Sequence, residues 1–200
     1  MRIKITEGTV LTDSQLCEAG ELLYLTDSEI YPTAFACAKN MGTVFPALAK
    51  MKNGLFTREN LLVALDGEKI AGVLVGCNKN IWQLGTLARV FAENNLPLPD
   101  SATDTEEKYF AFEAQHEKGD YVLCLSVSPE HRKCGIGRAL LSRYLQDKKE
   151  VSLECLQDNL PARRLYESLG FAVTEAYAGY AAPHSPPVPV LKMICRKNQP

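Results

Sequence analysis

The chain has 200 residues, a length typical of one domain. Its hydrophobic fraction of 46% and charged fraction of 23% are ordinary for a globular protein and exclude a disordered, collagen-like or coiled-coil chain. Lys and Arg number 22 against 24 Asp and Glu, which leaves a net charge of −2. Because there is no excess of basic charge, nucleic acid is not an expected partner.

Apolar runs and cysteines limit the possible compartments and cofactors. The longest apolar run, Ile70 to Cys77, is far shorter than the roughly 20 residues that cross a bilayer, so no membrane partner is expected. The first seven residues lack the apolar core of a signal peptide. Seven scattered cysteines form no C-x-x-C pair and do not cluster with the three histidines, so no metal site is predicted. Such thiols without an export signal predict a reducing, cytoplasmic compartment.

The N-terminal part predicts a strand, several helices and a hairpin. The expected elements are a strand over 2–6, helices over 13–25, 30–40 and 44–51, and hairpin strands over 61–65 and 70–77. Thr12 and Gln15 form a capping box at the start of the first helix. Gly42 is expected to separate the second helix from the third, and Asp66-Gly67 supplies the turn of the hairpin.

Residues 80–118 are the least regular part of the chain and predict a helical insertion within a single domain that spans residues 1–200. Apolar spacing favours one helix that ends near Asn94-Asn95 and another over 106–117, with a polar loop between them. The segment is longer than a simple connection between two strands requires. We therefore expect it to form a helical cover over a binding site.

The C-terminal part predicts alternating strands and helices. The expected elements are strands over 121–127, 151–156, 171–176 and 188–195, and helices over 136–146 and 159–169. The first of these strands is almost continuously apolar, which is typical of a central strand that is buried on both faces. Asn159 is a favourable N-cap for the second helix, and Gly170 stands where a C-terminal cap belongs.

A glycine-rich turn, Arg132-x-x-Gly135-x-Gly137, joins the central strand to the next helix. Glycines at such a turn remove Cβ atoms and let backbone N–H groups converge at the positive end of the helix, which favours phosphate binding. Lys133 and Arg138 add positive charge. The turn has the chemistry of a pyrophosphate site, although a turn that only allows close packing is an alternative. Its spacing matches neither the Rossmann fingerprint nor the P-loop.

A second pattern follows about twenty residues later. Residues 159–171 contain N-x-x-A-x-x-L-Y-E-x-x-G-F within a strand–helix–strand unit. Together, the two patterns resemble the GNAT superfamily of N-acetyltransferases, most clearly over residues 121–176. The resemblance implies an α/β fold with a mixed, mainly antiparallel sheet, a parallel pair where 121–127 and 151–156 diverge, and helices on both faces. It also implies acetyl-CoA as co-substrate.

The resemblance also implies roles for individual residues. The main chain of Leu125, Ser126 and Val127 would lie along the pantetheine arm, and Asn159 would reach the same part of the cofactor. Tyr166 would protonate the departing thiolate of coenzyme A, a form of acid catalysis typically worth about 10²- to 10⁴-fold. The pyrophosphate would be held by the backbone amides of Arg132, Lys133, Cys134, Gly135, Ile136, Gly137 and Arg138.

Several residues have plainer alternatives. Tyr166 could be a packed helix aromatic, and Cys134 could be an acyl-accepting thiol but is better interpreted as filling the loop. His131 is expected to be a surface residue. The base that takes the proton of the amine is not assigned; the nearby candidates are Glu113, His116, Glu117 and Glu130.

The predicted activity is direct transfer of an acetyl group from acetyl-CoA to a primary amine of a small molecule, a peptide N-terminus or a lysine. A non-catalytic coenzyme-A-binding sensor or interaction protein with the same fold is the alternative, and a homodimer is left open. Substrate choice must come from outside the C-terminal half. We expect the N-terminal helices, with Tyr24 and Tyr31, or the 80–118 segment, with Trp82 and Tyr109, to wall the acceptor pocket.

Overall fold

The computed structural model describes residues 2–52, 54–77, 82–110, 119–180 and 186–197. Within these residues, seven strands form one sheet in the order β1-β2-β3-β4-β5-β7-β6. The strands are β1 (Ile3–Glu7), β2 (Leu61–Asp66), β3 (Lys69–Cys77), β4 (Asp120–Val127), β5 (Glu150–Leu156), β6 (Phe171–Tyr180) and β7 (Pro187–Arg196). Neighbouring strands are antiparallel except β4 and β5, which are parallel. The mixed, mainly antiparallel sheet is therefore confirmed.

Helices pack on both faces of this sheet. Those in the described residues are α1 (Asp13–Tyr24), α2 (Ile30–Phe35), α3 (Ala38–Ala49), α4 (Thr86–Glu93), α5 (Ala102–Thr105), α6 (Ile136–Leu145) and α7 (Leu160–Glu167). Strand alternation divides the core. In β3, Val73 and Val75 pack with residues of α1–α5, whereas Leu74 packs on the opposite face with residues of α6.

The boundary between α2 and α3 is not where the sequence predicts it. Gly42 lies inside α3, and the chain instead breaks at Ala36, whose φ is 65° and whose carbonyl accepts a hydrogen bond of 3.1 Å from the Tyr24 hydroxyl. Gly42 is used for close packing: a Cβ there would lie 2.9 Å from the carbonyl oxygen of Cys17 in α1. The glycine permits two helices to approach closely, a pairing that local sequence does not reveal.

Residues 78–119 separate β3 from β4, although these strands are antiparallel neighbours that a short turn could join. The described part of this segment contains α4 and α5, followed by a π-helical turn at Glu106–Phe110. The rest of the helix predicted over 106–117 lies outside the described residues. Trp82 and Phe110 of the segment pack edge-on against Phe56, at centroid distances of 6.2 and 6.0 Å. The segment therefore joins the N-terminal core, and its assignment as an insertion in a single domain stays a prediction.

Glu106 is a buried carboxylate, 2% exposed, that sequence analysis placed on an ordinary helix. Its oxygens accept hydrogen bonds from the indole N–H of Trp82 (2.9 Å) and from the backbone N–H groups of Gly85 (2.8 Å) and Leu87 (3.0 Å). The carboxylate thus occupies the N-terminus of α4, where free N–H groups and the helix dipole favour negative charge.

Replacing Glu106 by Ala leaves three buried or half-buried donors without their acceptor. We expect the free energy of unfolding to fall by about 3 kcal/mol, measured by urea denaturation. The adjacent Glu107 is exposed, so Glu107→Ala is the matched control and should change stability by less than about 0.5 kcal/mol. Equal stability of the two variants would contradict a capping role for Glu106.

Candidate active site

The parallel strands β4 and β5 separate part of the way along their length. They pair only where Asp120–Val122 lie beside Val151–Leu153. Beyond these residues the described strands continue, as Leu123–Val127 and Glu154–Leu156, without pairing to each other. The edge of β4 that faces β5 there offers backbone groups to a ligand, because its other edge is paired with β3.

A β-bulge lies at the point of divergence. Val75 of β3 lies opposite Cys124 and Gly76 lies opposite Val122, so Leu123 is an extra residue in β4. As a result Leu123 and Cys124 both pack on the face of α1–α5, whereas Val122 and Leu125 pack on the face of α6 and α7. Sequence analysis missed this bulge, and the isolated Gly76 within a strand was the available signal.

The glycine-rich turn lies between the end of β4 and the start of α6. Lys133 and Gly135 both have left-handed backbone angles, with φ of 61° and 79°, and Gly135 is the N-cap of α6. A Cβ built on Gly135 would have no atom within 4 Å, so this position opens to free space. The first amides of α6 have no partner within the helix and lie beside this space, as an anion site requires.

Gly137 has a different surrounding from Gly135. A Cβ at Gly137 would lie 3.3 Å from Leu165 Cδ2 and 3.7 Å from atoms of Leu125 and Val127. The second glycine of the motif thus allows α6 to pack against α7 and β4. A side chain at Gly137 would therefore point into the protein and not toward the open space over Gly135.

The remaining side chains of the turn lie around it. Arg132 Nε donates to the carbonyl oxygen of Val127 (3.3 Å), and Arg138 donates to Ser168 Oγ beyond α7 (2.7 Å). The exposed Cys134 thiol makes a weak contact with the Arg132 carbonyl (3.5 Å), whereas Ile136 is buried. The positive charges of Arg132, Lys133 and Arg138 are therefore solvent-exposed beside the turn.

Asn159 caps α7, as predicted. Its Oδ1 accepts a hydrogen bond from the backbone N–H of Ala162 at 3.3 Å. Its predicted contact with the cofactor stays a prediction.

Tyr166 lies on α7, with its ring centroid 5.9 Å from that of Phe171. Burial raises the pKa of the Tyr166 hydroxyl well above its ordinary value, with smaller contributions from the thiols of Cys155 on β5 and Cys124 on β4. Both strands therefore lie near the phenol. Among the described residues the hydroxyl has no hydrogen-bond partner, and like an ordinary phenol it is protonated at neutral pH. Such a phenol can donate a proton but does not act as a base.

Of the four candidate bases, Glu113, His116 and Glu117 lie outside the described residues. Glu130 is exposed. His131 is not the surface residue that the sequence suggested, since its side chain is only 13% exposed and contacts Ser128 and Asp66.

The helices before β2 approach the candidate site through Tyr31. Its hydroxyl lies 2.8 Å from Cys124 Sγ, beside the bulge in β4, and both residues are buried. Trp82 is bound to Glu106, and Tyr109 is partly buried against the same core. Among the segments that are expected to wall an acceptor pocket, α2 therefore contacts β4, the strand that diverges from β5.

None of the helices in the described residues is long and apolar enough to cross a membrane. In the same part of the chain, no group of three or more His, Cys, Asp or Glu side chains is placed to hold a metal ion.

Comparisons with known proteins identify the family. The profile of the acetyltransferase (GNAT) family matches residues 48–171, and the chain belongs to this family. A curated relative, mycothiol acetyltransferase of Acidothermus cellulolyticus, is 28% identical over 207 aligned positions that cover 82% of this chain. The chain spans only 63% of the length of that relative.

Solved structures share the fold. An N-acetyltransferase from Staphylococcus aureus has a TM-score of 0.64 and 15% identity, covering 96% of this chain and 99% of its own. The yncA protein of Salmonella typhimurium, solved with its cofactor acetyl-CoA, has a TM-score of 0.58 and 16% identity, covering 97% and 93%. Both likenesses, at such low identity, concern the fold alone.

The cysteine beside Tyr166 supplies a test of this environment. Burial raises the pKa of Cys155 to about 11, from an ordinary value near 9.0. At pH 8 we expect iodoacetamide to modify the exposed Cys37 and Cys134 at least tenfold faster than Cys155, because the thiolate is the reactive form. Peptide mass spectrometry over time measures the rates, and equal labelling of Cys155 and Cys134 would contradict the buried placement.

Proposed function

We propose that this protein transfers an acetyl group from acetyl-CoA to a primary amine by direct attack. The observation that carries the proposal is the divergence of β4 from β5, with the protonated Tyr166 lying near both strands and the glycine-rich turn at the far end of β4. The arrangement provides an anion site, an open backbone edge and a proton donor in succession. Acetyl-CoA requires these three features in the same order, for its pyrophosphate, its pantetheine arm and its sulfur.

The residues present fit acetyl-CoA. The main chain of Leu125, Ser126 and Val127 belongs to the part of β4 that does not pair with β5, so the backbone groups along that edge are available to the pantetheine amides. The open space over Gly135, with the first amides of α6 beside it, suits a pyrophosphate. Exposed Arg132, Lys133 and Arg138 add favourable charge, and their backbone amides belong to the same turn as those of Cys134, Ile136 and Gly137.

The residues of the chain are proposed to place the two substrates and to transfer a proton. The amine nitrogen of the acceptor forms a bond to the acetyl carbon, and the carbon–sulfur bond breaks. Tyr166 donates its hydroxyl proton to the departing sulfur, and the amine loses one proton to solvent or to a base that is not assigned. The phenol then recovers a proton, so the residue is unchanged over the cycle.

A panel of amines tests the function and distinguishes it from coenzyme A binding without turnover. Because a relative is a mycothiol acetyltransferase, small-molecule amines come first, followed by peptide N-termini and lysine side chains. Release of free thiol and a mass gain of one acetyl group on the amine are the expected results. Tight binding of coenzyme A with no acetylated product from any of the three classes would favour the sensor alternative.

We further propose that the protein works in a reducing compartment such as the cytoplasm. All seven cysteines are free thiols, including the exposed Cys37 and Cys134. Exposed thiols persist where cellular reductants keep them reduced.

A further inference from the structure

A chain of hydrogen bonds connects the glycine-rich turn to a strand two positions away in the sheet. The hydroxyl of Ser128 lies 2.7 Å from His131 Nδ1, and His131 Nε2 lies 3.2 Å from an oxygen of Asp66. Ser128 directly follows β4 and is 6% exposed, whereas Asp66 is the last residue of β2. These hydrogen bonds therefore extend from the end of β4, across β3, to the end of β2.

The Asp66 carboxylate can only accept, so Nε2 of His131 carries the hydrogen of that bond. The Ser128 hydroxyl can donate to Nδ1 or accept from it, so this contact forms in either protonation state of the ring. The backbone N–H of Ser128 also donates to the carbonyl of Ala71 in β3, at 3.0 Å. Together these contacts hold the short helical turn Pro129–His131 against β2 and β3. The glycine-rich turn follows directly after this helical turn.

The segment that follows His131 contains an unfavourable backbone angle. Lys133, which is not glycine, has a φ of 61°, and Gly135 has a φ of 79° two residues later. A left-handed angle at a non-glycine residue persists only where surrounding contacts hold it. The His131 contacts lie at the start of this segment, and the bond from Arg132 to the Val127 carbonyl lies beside them.

We propose that His131 is a positioning residue for donor binding, which holds the glycine-rich turn in the shape that accepts the pyrophosphate of acetyl-CoA. This inference rests on the proposed function and adds a residue to it. Ser, His and Asp also form nucleophilic triads, but Ser128 is buried at the phosphate end of β4. Tyr166, which marks the sulfur, lies near Cys124 and Cys155 instead. The chain of hydrogen bonds therefore acts on the turn and not on the thioester.

The test compares two acetyl donors, one with a pyrophosphate and one without it. In His131→Ala, calorimetry should show coenzyme A binding about tenfold weaker than in the wild type, since two hydrogen bonds that hold the turn are lost. The KM for acetyl-CoA should rise to a similar extent, with kcat within twofold. S-acetylpantetheine lacks the pyrophosphate, so kcat/KM with this donor should be the same in the variant and the wild type.

Further variants separate positioning from a loss of stability. Asp66→Ala should weaken coenzyme A binding as His131→Ala does, and the double variant should be no weaker than either single one. Asp66→Asn keeps an acceptor for Nε2 and should stay within twofold of the wild type. Asp13→Ala removes an exposed carboxylate that also joins distant segments, through Lys50 and Arg58, and should leave coenzyme A binding unchanged.

Two results would overturn the inference while leaving the proposed function in place. One is coenzyme A affinity in folded His131→Ala within twofold of the wild type. The other is an equal loss of kcat/KM with both donors, which would mean that the substitution disturbs the whole site. Failure of the wild-type protein to bind coenzyme A would instead overturn the proposed function and the inference together.

Discussion

Replacing Tyr166 by Phe is expected to lower kcat about 100-fold and to leave the Kd for acetyl-CoA within twofold of the wild type. The substitution keeps the half-buried ring against Phe171 and removes only the hydroxyl that would protonate the departing sulfur. Steady-state kinetics with the acceptor from the amine panel gives kcat, and calorimetry gives the Kd. The decrease should appear in kcat because the proton is needed only as the carbon–sulfur bond breaks.

Tyr144 is a matched control for this substitution. It is another half-buried tyrosine whose pKa is raised by burial, but its hydroxyl donates to the Tyr121 carbonyl at 3.1 Å, on the side of β4 that faces α6. Tyr144→Phe should therefore keep kcat within about twofold. An unchanged kcat in Tyr166→Phe, when chemistry limits turnover, would remove Tyr166 from the mechanism.

The raised pKa of Tyr166 also predicts a pH dependence. An acid must be protonated to act, and burial shifts its deprotonation above the ordinary value near 10. Loss of activity caused by this phenol should therefore occur only above about pH 10. The neutral form is also the one that the fold accommodates, so stability is retained below that pH and falls as the pH rises further. A decrease of kcat near pH 8 that disappears in Tyr166→Phe would contradict this assignment.

Replacing Gly135 by Val should weaken acetyl-CoA binding about 100-fold. The substitution places a branched side chain in the open space over the turn, where the pyrophosphate is proposed to bind, and it disfavours the φ of 79°. Both effects act on the first amides of α6. Calorimetry with acetyl-CoA measures the loss, and the melting temperature reports the cost of the backbone strain separately.

Gly85 provides a close control for the effect of strain. It too is the left-handed N-cap of a helix, with a φ of 84° and no atom within 4 Å of a built Cβ. Gly85→Val should therefore lower stability by a similar amount and leave acetyl-CoA affinity unchanged. If folded Gly135→Val binds acetyl-CoA as the wild type does, the turn is not the pyrophosphate site.

The features that sequence analysis predicted correctly are mostly local. The capping box at Thr12 and Gln15, the Asp66-Gly67 turn and the Asn159 cap each depend on residues within a few positions. The glycine-rich turn before α6 is local in the same way, because a strand, a turn and a helix start follow each other within about fifteen residues. The family resemblance added the parallel pair of diverging strands, which spacing alone does not establish.

Gly137 shows that two glycines of one motif can have different surroundings. Both glycines were expected to make room for phosphate, but only Gly135 faces open space, while Gly137 lies against Leu165, Leu125 and Val127. Neighbouring residues in a helix point in different directions, and the packing of α7 decides which of them faces the ligand.

The sequence by itself determined the order of most strands and helices, the composition of the turn and the presence of a tyrosine on the helix that follows β5. Tertiary structure decided the rest, because the deciding contacts join residues far apart in the chain. His131 meets Asp66 across 65 positions, and Glu106 meets Trp82 across 24. The bulge at Leu123 arises only when β4 pairs with β3. Burial and hydrogen-bond partners gave these side chains their roles, and no local pattern specifies which distant residue will become a neighbour.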